Sequence, residues 1–84
     1  MPTVLFIPGW RFFFYANENN ESVHIHARKS DMECKFWLDV EEFEIHEAYA
    51  YNLGAKDRRE VKRLTYQHFD YFVAERNKFK SLKK

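Results

Sequence analysis

The sequence predicts an α+β fold, an antiparallel sheet of four to five strands followed by one long C-terminal helix packed on one face. Three observations predict it. Apolar and polar residues alternate with a period of two through much of the first half, the period at which side chains point to opposite faces of a strand. Turn-forming residues and polar clusters punctuate that half at strand-length intervals. Residues 55–80 contain neither Gly nor Pro and carry apolar residues at helical spacing. A chain of 84 residues has room for a single domain, 1–84, with one core, and its 19% aromatic content lets a few large side chains fill that core.

Residues 3–7 are β-branched and apolar and stop at the turn dipeptide Pro8-Gly9, after which residues 10–16 resume as an aromatic strand, giving a β-hairpin. Residues 17–22, with three Asn and two Glu, form the following loop. Residues 23–28 alternate as a half-buried strand. Beyond the turn at 29–31, residues 33–38 alternate again, with Cys34, Phe36 and Leu38 on one face and Glu33, Lys35 and Trp37 on the other. The alternation of Phe43 and Ile45 with Glu42, Glu44 and His46 predicts a short fifth strand over 42–46. Residues 52–54 break the pattern before the helix, whose stripe of Val61, Leu64, Thr65, His68, Phe69, Phe72 and Phe79 is the side laid on the sheet.

Net charge is +1 but unevenly placed: residues 1–54 carry four basic and nine acidic side chains, residues 55–84 ten and four. That asymmetry allows an anionic partner to be steered toward the helix end, although a solvated helix face accounts for most of it. A lone cysteine, Cys34, rules out an intrachain disulfide and fits a reducing compartment. The apolar start of the chain is interrupted by Pro8, Gly9 and Arg11 and lacks the features of a signal peptide, and no stretch approaches the ~20 apolar residues of a membrane span. The expectation is a cytoplasmic protein with no membrane association.

If Val23, Ile25 and Ala27 face the helix, His24, His26 and Arg28 share the opposite face, and the same alternation groups Arg11, Phe13 and Tyr15 on the second strand and Lys35 and Trp37 on the fourth. Three chemistries suit that exposed face. Imidazoles can serve as general acid and base on RNA, with Arg11 and Lys35 stabilising phosphate charge and Phe13, Tyr15 and Trp37 stacking bases, as in a metal-independent ribonuclease. His24 and His26, two residues apart on one strand, can supply two ligands to a transition metal, with Glu18 or His46 as a third, although neither has diagnostic spacing. Alternatively the face is a protein interface, rich in Trp, Tyr and Arg, toward a partner or a second copy of the chain. Against all three stands the plainer reading of surface histidines and structural ion pairs. Cys34 and His68 are expected in the core and His46 in solvent.

The ordered segments Met1-Pro2-Thr3-Val4-Leu5, Gly9-Trp10-Arg11-Phe12-Phe13-Phe14-Tyr15, Glu18, His24-Ile25-His26 and Lys35-Phe36-Trp37-Leu38-Asp39 resemble the domain-of-unknown-function family DUF4160, a set of short bacterial proteins. The resemblance is close over residues 1–39 and extends to the helix by pattern. This chain departs from the family's usual reading at Ala16, where Ser is typical, at Cys34, where Ala is, and at Glu21-Ser22-Val23, where two prolines precede the first histidine. The resemblance implies a bacterial or phage cytoplasmic protein, encoded beside a cognate small protein in an arrangement like a toxin–antitoxin pair, and it implies no particular reaction. Its motif positions are Arg11, Tyr15, Glu18, His24, His26, Lys35 and Trp37, which coincide with the face derived from alternation. The sequence therefore points to a toxin–antitoxin-like component engaging RNA or a partner protein through that face, with His24, His26, Arg11, Lys35 and Glu18 as the catalytic candidates, Tyr15, Trp37, Arg28 and Phe13 as the binding ones, and no cofactor. The alternatives are a non-enzymatic interaction or homodimerisation module and a metal-binding protein.

Overall fold

A computed structural model describes residues 3–7, 9–14 and 22–82. Five strands, β1 (Thr3–Ile7), β2 (Trp10–Phe13), β3 (His24–Lys29), β4 (Met32–Asp39) and β5 (Glu44–Tyr51), precede two helices, α1 (Ala55–Gln67) and α2 (Phe69–Leu82). The strands form one antiparallel meander in the order β1-β2-β3-β4-β5, so every sheet contact is between sequence neighbours. The turns suit their positions: Gly9 takes φ 92, a conformation that glycine adopts without Cβ strain, and Ser30 (φ 57) helps to close the β3–β4 hairpin.

The core lies between one sheet face and the helices. Phe12, Phe14, Ile25, Ala27, Cys34, Phe36 and Leu38 from the sheet meet Val61, Leu64, Phe69 and Phe72 from the helices, and the Phe12 and Phe72 rings sit 4.9 Å apart. Trp10 closes one end of this core, its indole Nε1 donating to Glu60 on α1 at 2.9 Å. Arg58 of α1 clamps Glu47 of β5 with two hydrogen bonds of 2.9 and 3.4 Å, tying the helix to the edge strand.

The structure corrects the expected elements in two places. The fifth strand runs over Glu44–Tyr51, well beyond 42–46, because a register shift between Lys35 and Phe36 accommodates Ala48 as an extra residue on β5 and lets pairing continue to Tyr51. The single long helix is divided at His68 (φ −113, ψ 22), although the His68 N–H still donates to the Leu64 carbonyl and the Phe72 N–H to that of His68. No Gly or Pro announces this joint. The Thr65 hydroxyl, donating to the Val61 carbonyl at 2.7 Å, makes a back-bond that bends helices, and just past the joint Phe69 is buried against Phe43, with ring centroids 4.7 Å apart. His68 itself is half-buried rather than in the core, and the Phe79 side chain lies outside the described residues.

Candidate binding face

The register lines up the second sheet face in cross-strand rows. The first is Phe6–Arg11–Arg28–Glu33–Tyr51, the second Phe13–His26–Lys35–Tyr49, and the third His24–Trp37–His46. Alternation alone predicted most of this grouping. The pairing adds which residues are direct neighbours, since opposed side chains interact most strongly.

The expected exposure of this face is overturned at its centre. His24 is 0% and His26 1% exposed, Phe13 is buried and Lys35 is only 7% exposed, whereas Arg11 and Trp37 are half-buried and Arg28 is exposed. Rings pack together here. Phe13 stacks on His26 at 5.3 Å, His24 meets His26 edge-on at 5.2 Å, and Trp37 meets His24 at 5.6 Å. Cations lie over rings as well, the Arg11 guanidinium 5.0 Å from the Phe13 centroid and the Lys35 ammonium 4.3 Å from that of Trp37. The alternating pattern predicted a shared face correctly, but a flat apolar strip of this density excludes water once its aromatics interlock.

Both imidazoles are held by hydrogen bonds. A carbonyl only accepts, so His24 donates through Nδ1–H to the Ser22 carbonyl at 2.7 Å. The Tyr49 hydroxyl lies 3.1 Å from His26 Nδ1 and 3.4 Å from Glu33 Oε2. A carboxylate likewise only accepts, so the hydroxyl that donates to Glu33 takes its own hydrogen bond from His26 Nδ1–H. Buried polar groups satisfied in this way add rigidity to a sheet.

Two concavities border the face. One of about 420 Å³ is lined by Ser22, Val23, Trp37, Leu38, Asp39 and His46. Another of about 250 Å³ lies between the β1–β2 and β3–β4 turns. Neither is lined by His24, His26 or Lys35. Among the described residues no group of three or more His, Cys, Asp or Glu could hold a metal ion. Tyr15 and Glu18 lie outside the described residues.

Elsewhere the titratable groups serve the scaffold. Burial pushes the Cys34 thiol up to about 12, helped by the negative charges of Glu47 and Glu33, so it faces the core as an inert thiol. The hydrogen bond from Arg58 holds the Glu47 carboxyl below its usual range. That from Trp10, with Lys29 nearby, does the same for Glu60.

Sequence reasoning missed Tyr49, Tyr51 and Phe6 as members of the face. The Ala48-Tyr49-Ala50-Tyr51 alternation was the available signal for the first two, but the extra residue at Ala48 shifts it out of phase with residues 42–46. Phe6 is 72% exposed and falls beside Arg11 only through the hairpin register.

No helix among the described residues is long and apolar enough to cross a membrane. Neither the curated proteins nor the solved structures include a match. A family model described as Domain of unknown function (DUF4160) matches residues 9–75, which takes in β2 through the first half of α2 and every member of the three rows except Phe6. The chain belongs to the DUF4160 family.

Proposed function

We propose that this chain is a non-enzymatic binding module, acting within a toxin–antitoxin-like pair of the kind its family resemblance implies, and that it engages its ligand through the exposed rim of the histidine-bearing sheet face. The carrying observation is the burial of His24 and His26, at 0% and 1% exposure, with each Nδ1 already in a hydrogen bond. A general acid or base must come within hydrogen-bond reach of the proton that it moves. Imidazoles packed among Phe13, Trp37 and Tyr49 instead fix the positions of their neighbours. In this reading His24, His26 and Lys35 build the face, and the groups that reach solvent around it, Phe6, Arg28, Trp37 and Tyr51, do the binding. Homodimerisation through the β5 edge is disfavoured by Glu44 and Glu47 along that strand, charges that discourage edge-to-edge pairing.

The test is incubation of the purified protein with RNA in the presence of a chelator. Intact RNA, together with clear losses of stability in His24→Ala and His26→Ala, is the expected result. Cleavage that disappears in either variant while its melting temperature holds would overturn the reading in favour of a metal-independent ribonuclease.

A further inference from the structure

We propose that the cavity beside the third row, on the side of Trp37 turned toward Asp39, seats an arginine side chain presented by a partner protein, with its guanidinium stacked on the indole and paired with the Asp39 carboxylate. This names the class of partner for the binding-module reading and rests on it.

The register builds the seat. Lys35, Trp37 and Asp39 follow one another on one face of β4 at steps of about 7 Å, so the indole stands between a cation and an anion. Lys35 covers one side of the ring, its ammonium 4.3 Å from the centroid. The cavity of about 420 Å³ opens on the other side, since Asp39 lines it together with Ser22, Val23, Trp37, Leu38 and His46, and Lys35 does not. Asp39 directly opposes Glu44 across the β4–β5 pair. Like charges so placed destabilise a sheet, and a bound cation relieves that cost. The Asp39 side chain accepts the Glu42 backbone N–H through Oδ1 at 3.1 Å, which leaves a carboxylate with lone pairs for further donors. Glu44 has His46 at 3.6 Å, and among the described residues no Lys or Arg lines the cavity or ion-pairs with Asp39.

The chemistry selects arginine. A planar, weakly hydrated guanidinium lies on an aromatic face and pairs with a carboxylate at the same time, whereas a compact, strongly hydrated ammonium suits that double contact less well. Val23 and Leu38 offer an apolar wall to the methylene stem. The surroundings favour a basic ligand over an anionic one: Glu41 and Glu42 are exposed in the adjoining turn, and residues 1–54 carry four basic and nine acidic side chains. A protein supplies the arginine better than a free guanidine does. Val40, next to Asp39, is 54% exposed, apolar surface that a partner would cover and a small molecule would leave in water. Trp and Arg are also the residues in which interface binding energy concentrates.

Fluorescence anisotropy with a labelled peptide alternating Arg and Gly, and with its Lys counterpart, tests the proposal. The arginine peptide should bind more tightly than the lysine one. Asp39→Asn, which keeps the oxygen that accepts the Glu42 N–H and should melt like the parent, should weaken binding of the arginine peptide about tenfold. Trp37→Phe, which keeps a smaller ring, should weaken it about threefold. Asp31→Asn removes the same charge from an exposed position before the other end of β4 and should change nothing. No binding of the arginine peptide, equal binding of the lysine one, or equal weakening by Asp39→Asn and Asp31→Asn would overturn the proposal. So would free agmatine binding as tightly as the peptide, which would make this a small-molecule site, or tighter binding of a labelled oligouridylate. None of those outcomes touches the binding-module reading, which fails only through RNA cleavage.

Discussion

The two faces of this sheet are both dry at their centres, yet they are held in different ways. The helix-covered face packs Phe12, Ile25, Phe36 and Leu38 against Val61, Leu64 and Phe72, an apolar arrangement whose strength follows the area removed from water. The opposite face buries His24, His26 and Lys35 among Phe13, Trp37 and Tyr49, so its polar atoms must be matched one by one. The first tolerates any well-fitting hydrophobe, whereas the second depends on particular hydrogen-bond partners. A row of polar residues on a sheet is therefore a poor guide to exposure when aromatic residues flank it.

The contrast can be broken at either face. The largest effect is expected at Phe36, fully buried in the core, where Phe36→Ala should cost about 3–5 kcal/mol by denaturant titration. A loss below about 1 kcal/mol would mean that the helices do not close over the sheet as described. Next comes Tyr49→Phe, which removes the hydroxyl bonded to His26 Nδ1 while keeping the ring. Leaving that buried nitrogen without this partner should cost about 1–3 kcal/mol. A neutral result would place water or another group there and weaken the view of this face as a satisfied polar network.

The smallest effect concerns the link between β5 and α1. Glu47 titrates below the usual glutamate value of 4.5 because Arg58 hydrogen-bonds its charged form. A depressed carboxylate contributes stability above the unfolded-state value and loses it as pH falls through the folded one. The denaturation midpoint should therefore drift downward below about pH 4.5, and Glu47→Gln should lessen the drift. An unchanged drift in that variant would assign it to other carboxylates, Glu60 among them.

The sequence by itself determined the α+β class, the four early strands, the helical region and the membership of Arg11, Phe13, His24, His26, Arg28, Lys35 and Trp37 in one face, because two-residue alternation is a local property that the backbone enforces. It also carried the family resemblance, through an ordered set of short motifs. Tertiary structure alone decided the rest. The joint at His68 sits where Phe69 packs against Phe43, a residue distant in the sequence, and no Gly or Pro marks it. The reach of β5 to Tyr51 depends on an extra residue at Ala48 that only pairing with β4 makes visible. Whether the histidines met solvent was likewise undetermined, since burial depends on Phe13, Trp37 and Tyr49 arriving from three different strands. Alternation tells a side chain which way to point, and only the neighbours on either side determine whether water can follow it.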